Sequence, residues 1–230
     1  MSTIFKTLIV TTALAFSAVA GPKTIILSDQ SKLTYNISDD KKLNGAYILT
    51  TPDDKVSLKG AYKDDQRVGN WYTFNPDGTI FLRYNYDLKK LISIDTVAIT
   101  RVKYEINTTD DEVKKGSNIP VPICSIEQYI SLLGSEFKRK ILKEDKTASG
   151  MLNVNLIANV DANGSARYSA NYTIGGVKFN TKLIISEKMF DIEWLPASYK
   201  GQKIAGTFII STQADFSTDP PKRQRFIWNY

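Results

Sequence analysis

Shifted by 24 residues, GAYILTTPDDKVSLKGAY (45–62) lies over GNWYTFNPDGTIFLRYNY (69–86) as a second copy of one unit. Gly45 falls on Gly69, Tyr47 on Trp71, Pro52 on Pro76, Asp53 on Asp77 and Tyr62 on Tyr86, while Val56 meets Ile80 and Leu58 meets Leu82. A repeat of this period constrains the fold more than any single motif, because each copy must solve the same local problem. Proline presets φ in Pro-Asp-Asp-Lys and Pro-Asp-Gly-Thr, and Asp or Gly tolerates the special dihedrals of a turn. Aromatic and β-branched residues on either side make hairpin arms. A lone hairpin is marginal in water. The two copies are therefore expected to pair into a twisted sheet, with Tyr47, Trp71, Tyr62, Tyr84 and Tyr86 stacked along it.

Two uses of these rings are open. Tyr47, Trp71 and Tyr72 either form an aromatic platform for a ligand or pack as sheet core, and core is the simpler reading because cross-strand aromatic pairs stabilise a sheet unaided. The unit resembles the MORN repeat, in the variant of bacterial exported and antitoxin-like proteins. The resemblance rests on Gly45-Ala46-Tyr47, Gly60-Ala61-Tyr62 and Gly69-Asn70-Trp71 with the Pro-Asp-Gly turn, and covers residues 43–91. Copy one carries Asp54 in place of the turn glycine, and copy two carries Tyr84 where Gly60 would fall. The resemblance implies a structural or docking surface without catalytic residues.

The chain opens with Lys6, an apolar run from Leu8 to Phe16, and Ala18-Val19-Ala20, which reads as a signal peptide over residues 1–20, cleaved after Ala20. The apolar stretch is shorter than the roughly 20 residues of a spanning helix, and no later segment is long enough. Export to the periplasm or beyond is expected, with no transmembrane span. The net charge of +6, or +5 without Lys6, is well mixed along the chain and argues against nucleic acid. There is no histidine, which removes a Ser-His-Asp triad, a Cys-His dyad and any His-ligated metal. The one cysteine, Cys124, permits no internal disulfide and sits in apolar IPVPIC as a small buried hydrophobe. No cofactor is expected.

The expected organisation is a β-rich repeat domain over 21–106, a linker over 107–118 that mixes charge, Gly and Pro, and a second domain over 119–230. In the second half Ser125-Ile126-Glu127-Gln128 predicts a capping box, and Ile126, Tyr129, Ile130, Leu133, Phe137 and Ile141 recur at helical spacing, with Gly134 a place to bend or stop. Strict alternation over 152–160 and 166–174 around Asp161-Ala162-Asn163-Gly164 predicts an antiparallel hairpin. Asp161 and Asn163 lack the spacing of a calcium loop. VKFNTKLIISEKMFDIEW (177–194) is expected to be a helix, placing Phe179, Leu183 and Phe190 against the sheet. IAGTFIIST then makes a strand, so the fold class is α+β: a hairpin-repeat sheet followed by helix, hairpin, helix and strand.

The Asp-x-x-Gly hairpin and Trp194-Leu195-Pro196-Ala197 before a Gly201-led apolar strand resemble the TonB C-terminal domain over about residues 119–212. That resemblance implies a periplasmic module of envelope transport that binds the N-terminal box of outer-membrane receptors by strand addition. The edge would be the last strand, Lys203–Ser211, through Lys203, Ile204, Gly206, Phe208 and Ile210, or else the tail RQRFIWNY. The signal peptide and the missing Pro-rich spacer set the chain apart from an energy transducer. The leading expectation is a non-enzymatic envelope interaction protein that docks protein partners. The alternative is a glycan-binding protein using Trp71, Tyr72, Trp194 or Trp228. Asp191 and Glu193 supply no distinctive carboxylate pair for catalysis.

Overall fold

The computed structural model describes residues 21–144, 148–187 and 189–216. The expected signal peptide, the basic aromatic tail and Trp228 lie outside the described residues.

Seven strands run in chain order as one antiparallel sheet: β1 (Lys23–Ile26), β2 (Lys32–Ile37), β3 (Leu43–Thr50), β4 (Val56–Lys63), β5 (Gln66–Phe74), β6 (Ile80–Asn85) and β7 (Lys90–Ile94). The repeat appears as repeated register. Tyr47 pairs with Gly60 and Leu49 with Leu58, followed by a bulge and Thr50 with Val56. Twenty-four residues on, Trp71 pairs with Tyr84 and Thr73 with Leu82, followed by a bulge and Phe74 with Ile80. The turns match as well: Asp54 N–H donates to the Thr51 carbonyl and Gly78 N–H to the Asn75 carbonyl, both at 2.9 Å. Asp54 takes φ +60° and Gly78 φ +85°, so aspartate fills a left-handed position that its twin gives to glycine. A third turn of this kind, missed in the sequence, closes β1 onto β2, where Gln30 N–H donates to the Leu27 carbonyl and Gln30 has φ +68°. Ser-Asp-Gln-Ser there carries no Pro-Asp-Gly signal.

The chain continues through α1 (Thr96–Ile99), β8 (Lys103–Ile106), α2 (Asp111–Gly116), β9 (Val121–Pro122) and α3 (Ile126–Glu144). Then follow β10 (Met151–Val160), β11 (Ala166–Ile174), β12 (Val177–Leu183), β13 (Trp194–Leu195), β14 (Ala197–Tyr199), β15 (Gln202–Ile204) and β16 (Gly206–Asp215). A second antiparallel sheet has the order β12-β11-β10-β16-β8. The architecture is thus largely antiparallel β with few helices, an α+β chain with a β-rich repeat sheet. Strand β8 belongs to the second sheet although its residues fall in the first half as read from the sequence, and α2 occupies the expected linker.

The helix expected over 177–194 is a strand instead, Val177–Leu183. Gly175 and Gly176 both take positive φ, +55° and +81°, which is the two-residue turn whose twist suits a hairpin. It sends Val177-Lys178-Phe179-Asn180-Thr181-Lys182-Leu183 back along β11, where period-2 alternation and two β-branched residues favour pairing. Leu183 and Phe190 are buried as expected, but Phe179 stacks on Tyr172 and stays half-exposed.

Helix α3 starts where Ser125 Oγ accepts the Gln128 N–H at 3.1 Å, and it passes through Gly134 unbroken. Gln128 does not complete the capping box. Its side chain is drawn into a buried network, with Nε2 donating to Asp29 Oδ2 at 2.7 Å and Oε1 accepting from Ser57 Oγ at 3.3 Å. That network ties α3 to the repeat sheet. On its other side Tyr129 packs edge-on against Trp194 and Phe208, and Phe137 against Tyr172 of the second sheet. Cys124 is fully buried between these layers, and burial pushes its thiol well up. The buried apolar residues of both sheets form one continuous core.

Candidate functional site

A sheet that binds by strand addition needs an unpaired edge, and the second sheet places that edge elsewhere than expected. Strand β16 pairs with β10 along its whole length and with β8 from Gly206 to Ile209. Gly206, Phe208 and Ile210 are buried inside the sheet, while Lys203 and Ile204 belong to β15 and pair with β14. The expected partner-binding strand is therefore interior. A run of Ile, Phe and Gly with few charges suits a strand inside a sheet with one face on the core, so the apolar signal of a docking edge is a signal of burial.

Of the two outer strands, β8 has four residues and β12 has seven. Because Ile174 and Val177 flank a two-residue turn they form a hydrogen-bonded pair, and the alternation then turns the N–H and C=O of Lys178, Asn180 and Lys182 away from β11. Lys140 Nζ covers the Lys182 carbonyl, in keeping with that orientation. Along the same hairpin Ile174, Val177, Phe179 and Ile184 are 50%, 58%, 42% and 52% exposed. Tyr172 supports Phe179 from beneath, ring centroids 5.3 Å apart at 15°. Among the described residues the edge thus offers the outward backbone groups of Lys178 and Asn180 beside an apolar ledge, with Lys178 and Lys182 limiting indiscriminate pairing.

The aromatic platform divides between two faces. Tyr47 and Trp71 are buried on the inner face, closed over by the segment before β13. Tyr47 Oη donates to the Met189 carbonyl, and Tyr86 Oη donates to Glu193 Oε2 at 2.8 Å. Arg67 stands at the centre. Its guanidinium lies 4.4 Å from the Trp71 ring centroid and donates to Tyr62 Oη at 3.0 Å, to Tyr86 Oη at 2.8 Å and to the Asp191 carbonyl at 3.3 Å. An ion pair with Glu193 at 3.2 Å completes it. Burial opposes the charge on Arg67, but Tyr86, Tyr62 and Glu193 outweigh it and hold the group protonated. The rings are a seam between the two halves, which is why a ligand does not reach Tyr47 or Trp71. Trp194 is also buried, its indole N–H donating to Tyr168 Oη at 2.9 Å. Arg67 went unnoticed in the sequence because its repeat equivalent is Leu43.

Tyr72 points to the opposite face, half-buried between Lys59 and Arg83, whose cations lie 5.3 and 5.5 Å from its ring centroid. Both are its register partners on β4 and β6.

A cleft of about 390 Å³ lies where the Asn75–Thr79 turn meets α1 and the start of α3, lined by Asn75, Asp77, Asp95, Arg101 and Glu127. Glu127 Oε2 is buried there without a hydrogen-bond partner among the described residues. Burial first, and Asp77 second, raise the Glu127 carboxyl above its ordinary value. A carboxyl whose folded pKa is raised stabilises the fold below its unfolded pKa of about 4.3 and loses that contribution as pH rises through the folded value. Glu127→Gln is therefore expected to stabilise the protein at pH 7 by about 1 kcal/mol, with the gain vanishing in acid. Urea unfolding of both forms at pH 7 and pH 4 checks this, and a loss of stability at pH 7 contradicts it.

Among the described residues, no group of three or more His, Cys, Asp or Glu is arranged to hold a metal ion, and no helix is long and apolar enough to cross a membrane. The Asp161–Gly164 turn is closed by its own backbone, with Asp161 Oδ1 accepting the Asn163 and Ser165 N–H groups at 2.8 and 3.0 Å. No protein-family model, curated protein or solved structure matches this chain.

Proposed function

We propose that this chain is a non-enzymatic, exported binding protein of the bacterial envelope that takes an extended polypeptide onto β12. The observation that carries the reading is the outward backbone of Lys178 and Asn180 beside the exposed Val177 and Phe179. Backbone pairing supplies affinity and alternate side-chain pockets supply selectivity. The apolar run ending in Ala18-Val19-Ala20 supports export. The resemblance of residues 119–212 to the TonB C-terminal domain makes the N-terminal segment of an outer-membrane receptor the expected partner, with β12 in the role first given to Lys203–Ser211. The repeat sheet, resembling MORN units, braces this module through Arg67 and the Gln128 network.

The test titrates residues 21–230 with synthetic peptides from receptor N-terminal segments. Binding is expected to slow amide exchange at Lys178 and Asn180. Asn180→Pro removes one outward N–H while keeping the β11 ladder, and Pro is tolerated on an edge strand. It is expected to weaken binding at least tenfold. Exchange at these amides that no peptide slows, or a proline variant that binds unchanged, removes the proposal.

A further inference from the structure

The face of the second sheet turned away from α3 carries a ladder of amides. Register places Asn180, Asn171, Asn155 and Ser211 in one row across β12, β11, β10 and β16. At a strand spacing of about 4.8 Å the row spans roughly 14 Å. Asn153 and Gln213 pair in the next row on one side, and Asn159 and Thr207 further along on the other. Asn153, Asn155, Asn171, Asn180 and Ser211, with Lys103 and Lys178, border an open cleft of about 900 Å³.

The hydrogen bonds within the ladder all consume carbonyl oxygens. Asn155 Oδ1 accepts from Ser211 Oγ at 2.7 Å, Asn153 Oδ1 from Gln213 Nε2 at 2.9 Å, and Asn159 Oδ1 from Thr207 Oγ1 at 3.1 Å. Asn171 Oδ1 accepts from Asn180 Nδ2. Four amide N–H₂ groups, those of Asn153, Asn155, Asn159 and Asn171, donate to no other described residue. The face therefore presents more donors than acceptors, since each of these amide oxygens has one of its two lone pairs taken while its nitrogen keeps both N–H groups open. Lys103, Lys178, Lys182 and Arg167 stand at positions of the same face, opposed there by Glu105 and Asp215, and the four cations form no ion pair with any described residue.

We propose that this amide-laddered face binds an acidic polysaccharide, its carboxylates meeting the lysines and its hydroxyl and ring oxygens the asparagine N–H groups. Charge complementarity selects an anion, and charge-assisted hydrogen bonds are the stronger kind. The ladder itself has no aromatic ring on which bases would stack, which disfavours single-stranded nucleic acid. Its apolar members, the Ile157–Ile209 pair and Met151, are separated by the Asn153 and Asn155 rows, and Ile157 is buried, which disfavours a protein hot spot or a lipid surface. The face shares Lys178 and Asn180 with the β12 edge but uses their side chains and not their backbone groups, and Asn155 and Asn171 lie outside that edge, so each proposal can fail without the other.

The test is affinity electrophoresis of residues 21–230 in gels containing polygalacturonate, neutral dextran or polyphosphate. Polygalacturonate is expected to retard the protein, and dextran and polyphosphate to leave it little changed. Asn155→Asp with Asn171→Asp keeps shape while turning donors into acceptors, and is expected to weaken the polygalacturonate interaction at least tenfold. Lys103→Gln with Lys178→Gln is expected to weaken it and flatten its salt dependence. Should the Asp variant lose its fold, as read by circular dichroism, Asn155→Ala with Asn171→Ala takes its place with the same expected loss. Equal retardation by polyphosphate means plain polyanion capture and overturns the proposal. So does polygalacturonate binding that both variant pairs leave intact, or no retardation by polygalacturonate.

Discussion

Gly60→Ala is expected to destabilise the protein by about 3 kcal/mol, at the upper end of overpacking costs. A Cβ built at Gly60 stands 2.2 Å from Trp71 Cδ2 and 2.3 Å from Cε2, well inside contact distance. The indole has nowhere to go. It is fully buried, its N–H donates to the Ala61 carbonyl at 3.2 Å, and Tyr62, Tyr86 and Arg67 hold it at 5.3, 5.5 and 4.4 Å between centres. Gly60 also lies at the register shift between β4 and β5, where the backbone bends toward the ring. For a chain of this size 1 kcal/mol moves Tm by about 2–4 °C, so the midpoint is expected to fall by roughly 6–12 °C. Trp71→Leu costs stability alone, yet combined with Gly60→Ala the loss is expected to be smaller than the sum, since the clash disappears with the indole. A Gly60→Ala midpoint within 2 °C of the parent, by about the same scale, contradicts this account of the seam.

Arg67→Ala is expected to cost about 3–4 kcal/mol in urea unfolding followed by tryptophan fluorescence. Removing the guanidinium strips a partner from two half-buried hydroxyls, those of Tyr62 and Tyr86, and from the Asp191 carbonyl, and it leaves a gap against Trp71. Lysine does not replace it, because one ammonium cannot make the forked set of bonds and stack on the indole as well. Arg67→Lys is therefore expected to recover less than half the loss. The Glu193 carboxylate is 44% exposed, so solvent screening limits its share of the coupling to about 1 kcal/mol or less. The Arg67–Glu193 double-mutant cycle measures that share. A loss below about 1 kcal/mol for Arg67→Ala, the level of a single ordinary hydrogen bond, contradicts a structural role for the seam.

Local geometry was legible where a residue's own backbone demanded it. The 24-residue shift places both hairpins and both turns, down to Asp54 standing in for Gly78, and the structure adds a matching bulge to each. Ser125 marks the start of α3, and the Asp161–Gly164 turn and the β10–β11 hairpin follow from alternation and turn residues. The third turn at Gln30 was hidden because its left-handed residue is neither Gly nor Asp, and Asp29 beside it is fixed by Gln128 from almost a hundred positions away. Phe179, Leu183 and Phe190 fit a helical stripe as well as strand β12, while the deciding Gly175-Gly176 turn precedes the segment.

Alternation tells which residues share a face of a strand; it does not tell which face will be covered or which strand will lie outermost. Those depend on contacts between distant segments. Tyr47 is sealed by the Met189 carbonyl, 142 residues on, and Arg67 by the Asp191 carbonyl, 124 residues on. β8, drawn from before α3, forms one edge of the second sheet, and β12 forms the other. The sequence of this chain specifies its hairpins, turns and long helix, since each is stabilised by neighbours close along the chain. The buried aromatic seam, the exposed β12 edge and the amide face arise only when the two sheets meet around α3, because burial is a property of the packed molecule and not of any one strand.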